Sequence, residues 1–360
     1  MSRQRQGFVG ARGQAGLSLV ELLAAIALGA SITVGIIQMV TATQGTYRVN
    51  IGQARMQESA RFAMEFLTSP IRMAGFAGCY SDEGDIFSAL APNATPPYEG
   101  DFAAGAIAGH DATSATGTGT WSPGLGALPA DIPVAPDPDA VTPGTDVLTI
   151  RTSDSNGARL AQAQNFDDAD ELVIRTPEDP GEYGVESMVV VSDCQKAAVF
   201  ITTQVNTAAN TMTLFHAAAP TTNTDGNWTT ALSQDGSFYE TDATVHAVET
   251  QIFYIAPGNG QNNRGDRPLS LWRKFGTQPP VELVEGIEDL QVLYGVDTDG
   301  DPQGVPNQYM PFQNIGMGNL ADVVTMRISI TANSVDVVSE LGDGPLRRIF
   351  TSTVALRNRI

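Results

Sequence analysis

From Leu17 to about Val40 the chain is almost continuously apolar, broken by Glu21, Gln38 and small hydroxyl residues. A run of about 24 residues is long enough, as a helix, to cross the ~30 Å hydrocarbon core of a bilayer. Beyond it the pattern becomes mixed: Tyr47, Ile51, Met56, Phe62, Phe66 and Leu67 recur among Arg48, Arg55, Glu58, Arg61 and Glu65. Spacings near three, four and seven predict that the helix continues with one face available for packing. Pro70 and the glycines between Gly75 and Gly78 predict its end. At 1.5 Å per residue such a helix approaches ~80 Å.

The pattern then changes twice. Between about Ala89 and Pro143 the composition shifts to Ala, Gly, Thr and Pro, which predicts a long irregular surface region between helix and sheet. After it come short β-rich runs separated by turn residues: Val147–Arg151, Leu172–Arg175, Met188–Ser192, Val199–Thr203, Thr211–Phe215, Val248–Ile255, Leu269–Arg273, Leu290–Val296, Val323–Ile330 and Ile349–Leu356. Several alternate with the two-residue period of a half-buried strand, as in Thr325 to Ile330. Strands following one long helix predict an α+β fold with an enlarged antiparallel sheet. The expected divisions are 1–16, a leader; 17–43, the transmembrane part of the helix; 44–74, its amphipathic part; 75–145, an irregular loop region; and 146–360, a β-rich head.

Charge narrows the partner classes. Forty acidic residues against 20 basic ones give a net charge of -20, and no basic run occurs beyond the first dozen residues. Phosphate binding needs clustered Lys and Arg, so no nucleic acid is expected as a partner. The two cysteines, Cys79 and Cys194, have neither CxxC nor zinc-ligand spacing and read as two thiols or one disulfide. If the N-terminal segment exports the rest of the chain, the compartment is oxidising and a structural disulfide is expected.

Arg3, Arg5 and Arg12 precede the apolar run, and no acidic residue does. The positive-inside rule therefore keeps the N-terminus cytoplasmic and sends the larger part across the membrane. The run is too long for a cleaved signal-peptide core. A plain anchor leaves Glu21 unexplained, because an acidic side chain within a membrane segment is costly and wants a positive partner. Cleavage after Gly16 would create one, the α-amino group of Leu17. The segment Gly16-Leu17-Ser18-Leu19-Val20-Glu21 resembles the class III signal of type IV prepilins, with Leu17 where Phe or Met is usual. The resemblance implies cutting between Gly16 and Leu17 by a prepilin peptidase, methylation of the new terminus, and a Glu21 that neutralises the terminal amine of a neighbouring subunit. Where the family often carries a proline in this helix the chain has Gln38, so any local melting would have to come from Gly29, Gly35 or Gly45.

Four further blocks, Arg61–Cys79, Ser192–Ala198, Val284–Gly295 and Thr353–Arg359, resemble the PilW family of minor pilins. That resemblance implies a role without catalysis: priming of a type IV pilus within a tip-located complex of minor pilins that can carry a PilY-type adhesin, with other minor and major pilins as partners. Two alternatives share parts of this pattern. A J-class minor pseudopilin of type II secretion shares the signal and helix, and a signal-anchored periplasmic enzyme or binding protein shares the anchor.

Other motifs carry less. Asp297-Thr-Asp299-Gly-Asp301 alternates carboxylates around a glycine, as a Ca²⁺ loop does, but Pro302 and Gln308 stand where an EF-hand needs Gly and Glu. Calcium is the one cofactor considered, against an acidic turn. Gly316-Met-Gly318 lacks the βαβ context of a dinucleotide site, and Arg264-Gly-Asp266 reads as a chance tripeptide. His110, His216 and His246 are scattered, with no HExxH, GxSxG or P-loop pattern.

Overall fold

The computed structural model describes residues 18–80, 86–91, 102, 105–165, 171–217, 223, 238–299, 304–315, 320–338 and 344–359. The chain divides into two compact units, Met1–Ile51 and Gly52–Ile360. One helix, α1 (Leu19–Met73), is followed by strands. In chain order these are β1 (Phe87–Ser88), β2 (Ile107–Ser114), β3 (Thr120–Ser122), β4 (Val147–Ser153), β5 (Ala158–Arg159), β6 (Gln164–Asn165) and β7 (Glu171–Arg175). Next are β8 (Met188–Ser192), β9 (Ala197–Ile201), β10 (Gln204–Thr207), β11 (Thr211–Phe215), β12 (Phe238–Tyr239) and β13 (Thr244–Pro257). The last are β14 (Leu269–Phe275), β15 (Val281–Glu285), β16 (Ile287–Val296), β17 (Gln308–Met310), β18 (Val323–Asn333) and β19 (Arg347–Ala355). The class is α+β, as the sequence predicts.

The largest sheet is organised by β13. Its first residues pair with β8 and β5, and its later ones with β4 and β14. A separate four-stranded sheet runs β17-β16-β18-β19, all antiparallel. Gly286 is the single residue between β15 and β16 and so carries the chain from one sheet to the other. It has φ +81, and a Cβ there would come within 2.9 Å of Val335 Cγ2 and 3.1 Å of the Asn333 carbonyl oxygen. Both conditions call for glycine.

The main core joins α1 to both of these sheets. Met56, Ala60, Ala63, Leu67, Ile71 and Ala74, at helical spacings of three and four, are buried with Leu148, Ile150 and Phe253 of the larger sheet and Leu290, Val292, Ile328 and Ile330 of the smaller. Phe62 and Phe66, which the sequence pattern places on the packing face, remain 41% and 37% exposed. The packed stripe uses alanines, because small side chains let a helix lie close to a sheet. Pro70 does not end the helix, which continues to Met73. Gly75, at φ +74, turns the chain out, and its N–H bonds to the carbonyl of Arg151 in β4 at 3.0 Å.

The region expected to be irregular between 75 and 145 contains β2 and β3, and β2 pairs with β4 inside the largest sheet. Its sequence, Ile-Ala-Gly-His-Asp-Ala-Thr-Ser, has one large apolar residue and no alternation. Gly109 explains why: a Cβ there would collide with the Tyr294 hydroxyl and lie 3.1 Å from Phe312. The large side chains at this contact come from the partner elements. All ten strand runs read from the sequence are present, with ends shifted by a few residues.

Candidate functional site

The start of α1 is closed by its own side chains. The Ser18 hydroxyl accepts the Val20 N–H at 3.4 Å, and Glu21 Oε2 accepts the Ser18 N–H at 3.0 Å. This pair is a variant of the capping box, with the Ser18 hydroxyl on the N–H of the second helical residue and Glu21 at the third, and a carboxylate there also suits the positive end of the helix dipole. Glu21 therefore has a local role that the apolar-run argument missed, although the Ser-x-x-Glu spacing was present to be read. Gly16 and Leu17 lie outside the described residues.

Along the next turns the side chains that would fill a core are exposed: Leu19 is 74%, Leu28 67%, Ile32 64% and Met39 73% accessible. The most apolar stretch of the helix has a mean hydropathy of 2.2 and no buried residue. Such a surface needs an apolar surrounding, either lipid or other helices. Its hydroxyls are turned inward on the helix itself. Ser31, Thr33, Thr43 and Thr46 donate to the carbonyls of Ala27, Gly29, Met39 and Ala42 at 2.8–3.0 Å. Back-bonding of this kind satisfies a hydroxyl without water, as a membrane segment requires. The helix is unbroken through Gly29, Gly35 and Gly45, so the glycines do not melt it here.

The other end of α1 is held by tertiary contacts. Thr152 Oγ1 donates to the Met73 carbonyl at 2.9 Å, and Asn358 Nδ2 donates to the Met73 and Ala74 carbonyls at 3.4 and 3.0 Å. The helix's orphan C-terminal acceptors are thus met by β4 and by the last residues of the chain. Cys79 and Cys194 form a disulfide with a Cα–Cα distance of 4.7 Å across 115 residues. It joins the segment leaving α1 to the turn between β8 and β9, where Asp193 Oδ1 accepts the N–H groups of Gln195 and Lys196 at 3.1 Å.

Two buried carboxylates, absent from the sequence reading, tie separate elements together. Asp146 accepts the N–H of Ala112 in β2 at 2.9 Å through one oxygen and that of Val292 in β16 at 2.8 Å through the other. Burial outweighs these bonds and pushes its pKa up to about 6. Asp111 accepts the Gln313 N–H at 2.5 Å, and burial raises its pKa too. Each contact is to backbone: Asp146 staples one sheet to the other, and Asp111 holds the turn at Gln313 against β2.

Other residues singled out in the sequence make hydrogen bonds within the chain where described. Asp297 Oδ1 accepts the Asp299 N–H at 3.3 Å, and Asn307 accepts from Thr298, which makes a side-chain-closed turn. Asp301 and Gly316 to Gly318 lie outside the described residues. Among the described residues no group of three His, Cys, Asp or Glu side chains could hold a metal ion. Asn262 Oδ1 accepts the N–H groups of Arg264 and Asp266 and folds that tripeptide into a turn. His110 and His246 bond to the carbonyls of Pro123 and Asp154, and burial lowers both pKa values.

Residues 252–358 match the family model of the Type IV Pilus-assembly protein W, PilW. Over this segment the chain is similar to that family. The segment runs from within β13 to Asn358 and so contains the sheet switch at Gly286, the whole four-stranded sheet and the residue that caps the end of α1. The PilW blocks read from the sequence gain a physical meaning here. Within Val284–Gly295, Gly286 changes sheets, Glu288 pairs with Arg347 at 2.5 Å, and Leu290, Val292 and Tyr294 enter the core. No curated protein and no solved structure matches the chain.

Proposed function

We propose that the chain is a minor pilin of the PilW kind, which takes part in type IV pilus assembly by priming the fibre within a tip-located minor-pilin complex and has no catalytic activity. In this reading α1 anchors the chain in the inner membrane with a cytoplasmic N-terminus and later packs among the helices of other pilins. Prepilin peptidase cuts between Gly16 and Leu17, and Glu21 meets the new amine of a neighbouring subunit. The observation that carries it is the conjunction of a PilW match over residues 252–358 with a helix whose first half is apolar and exposed. The PilW segment grips the far end of that same helix, so one protein joins an assembly helix to the family's sheet.

Two measurements test the proposal. Mass spectrometry of the mature N-terminal peptide is expected to show a methylated Leu17; a retained leader overturns the pilin reading. Deletion of the gene is expected to remove surface pili, with protein secretion intact. The opposite phenotype assigns the chain to a secretion pseudopilus instead.

A further inference from the structure

The PilW segment ends on an open sheet edge. β19 is nine residues long and, among the described residues, pairs on one side alone, with β18. Its register runs without a shift from Thr325↔Ala355 to Asn333↔Arg347. Two bonds fix which backbone groups face outward. Leu356 donates to the Val324 carbonyl and Ser334 to the Leu346 carbonyl, both at 3.0 Å, one at each end of the ladder. Antiparallel pairing alternates, so residues 348, 350, 352 and 354 spend their N–H and C=O groups on β18. Those of Ile349, Thr351, Thr353 and Ala355 point to the free edge.

Long regular edges template pairing with other chains, and soluble proteins blunt them with bulges, proline, short length or covering elements. The edge strand β15 shows such devices: five residues, a bulge opposite Leu271 and Trp272, and two glutamates. β19 has no bulge and no proline. It presents Ile349 at 68% exposure, the most exposed large apolar side chain described from Gly52 onward. Its charge is distinctive as well. Residues 344–360 hold four arginines and no acidic residue in a chain of net charge -20. Arg347 is neutralised by Glu288, whereas Arg348 lies over the Phe350 ring at 5.4 Å.

We propose that β19 is a strand-addition site for an extended, acidic edge strand of another subunit, held by the outward backbone groups of residues 349–355 and selected by the arginines that flank them. Backbone bonds supply such recognition and side-chain charge its partner choice. The charge excludes a second copy pairing through its own β19. The inference deepens the assembly reading, since a subunit joining others needs a lateral contact, but its test requires no pili.

The full chain in detergent micelles is titrated with a fluorescent nine-residue peptide of alternating glutamate and valine, and with its lysine–valine counterpart. The acidic peptide is expected to bind at least about tenfold more tightly, because like charges across an interface are strongly penalised. Thr353→Pro removes one outward N–H and no bond to β18, so it should abolish binding with little change in melting temperature. Arg348→Glu should invert the preference without touching the backbone. Absence of binding, equal affinity for both peptides, or full binding by folded Thr353→Pro overturns the proposal. So does a self-association that disappears in these variants, which gives the edge to a second copy. Normal peptide binding by a chain whose deletion leaves pili intact refutes the pilus reading and leaves the edge site standing.

Discussion

The two halves of α1 invert the usual relation between apolarity and burial. Up to Ile51 the helix carries its largest aliphatic side chains, and Leu22, Ile26 and Ile36 are all more than half exposed. From Gly52 on, the residues at the core are mostly smaller, and Ala60, Ala63 and Ala74 are at most 1% exposed. Gly52 itself opens the contact, since a Cβ there would lie 3.1 Å from Ser334. The first half exposes apolar bulk of the kind that suits lipid or other helices. The second is built for a close approach to two sheets. Apolarity along a helix therefore reports what will surround it, and side-chain size reports how near a neighbour comes.

The sharpest way to break this contrast is the disulfide, which belongs wholly to the second region. Closing 115 residues corresponds to roughly 4–5 kcal/mol in the chain-entropy model. Cys79→Ser with Cys194→Ser should therefore lower the unfolding free energy of the β-rich unit by several kcal/mol, read as an earlier denaturant midpoint, while the helical signal of the apolar half in micelles is retained. A common loss of both signals at one midpoint would erase the distinction. A matched pair of truncations sharpens it. Leu67→Ala deletes a fully buried side chain and should cost about 2–5 kcal/mol. Leu28→Ala deletes an exposed one and should change unfolding by less than about 0.5 kcal/mol. Equal effects would mean that the apolar half is packed in the folded chain.

Acidity acts on the second region too. Asp146 holds its proton up to about pH 6 in the folded state, against an ordinary value of 3.8. The native state then binds more protons than the unfolded one between these values, so this group's contribution favours the fold at low pH and is lost as pH rises from about 4 to 6. Its span is at most about 3 kcal/mol. Asp111 and Asp289 are raised as well, so they add slopes of the same sign. Equilibrium unfolding at several pH values should show stability falling across this window, and Asp146→Asn should flatten the fall in part. An unchanged slope in that variant would remove Asp146 from the account.

What was legible in the sequence follows the same division. The apolar run, the ten strand runs and the α+β class are carried by local pattern, and they are present. Strand β2 was hidden because Gly109 gives up its own bulk to Tyr294, and because Ala108 and Ala112 add no large apolar side chain to the pattern. Pro70 was read as a stop, yet a proline within the last helical turn disturbs few bonds that continue. The staples at Asp146 and Asn358 join residues more than a hundred positions apart, and no local period records them. Asn358→Ala leaves the Ala74 carbonyl without its side-chain donor and should cost about 1–2 kcal/mol, measured by urea unfolding.

The most local effect on stability concerns Glu21, where the two accounts of the first half part company. As a capping residue it accepts the Ser18 N–H, a bond that a neutral amide oxygen can also accept. As an assembly residue it must carry a negative charge to meet a terminal amine, and an amide cannot. Glu21→Gln and Glu21→Ala therefore form a diagnostic pair. In micelles the alanine variant should lose about 0.5–2 kcal/mol of local helix stability, seen as faster amide exchange over the first turns, and glutamine should recover most of it. Incorporation with partner pilins should fail in both. If glutamine also restores incorporation, the cap is the whole role of Glu21 and no ion pair is needed. If glutamine repairs the helix but not the assembly, the start of α1 is closed locally in the free chain and re-partnered by charge when subunits join.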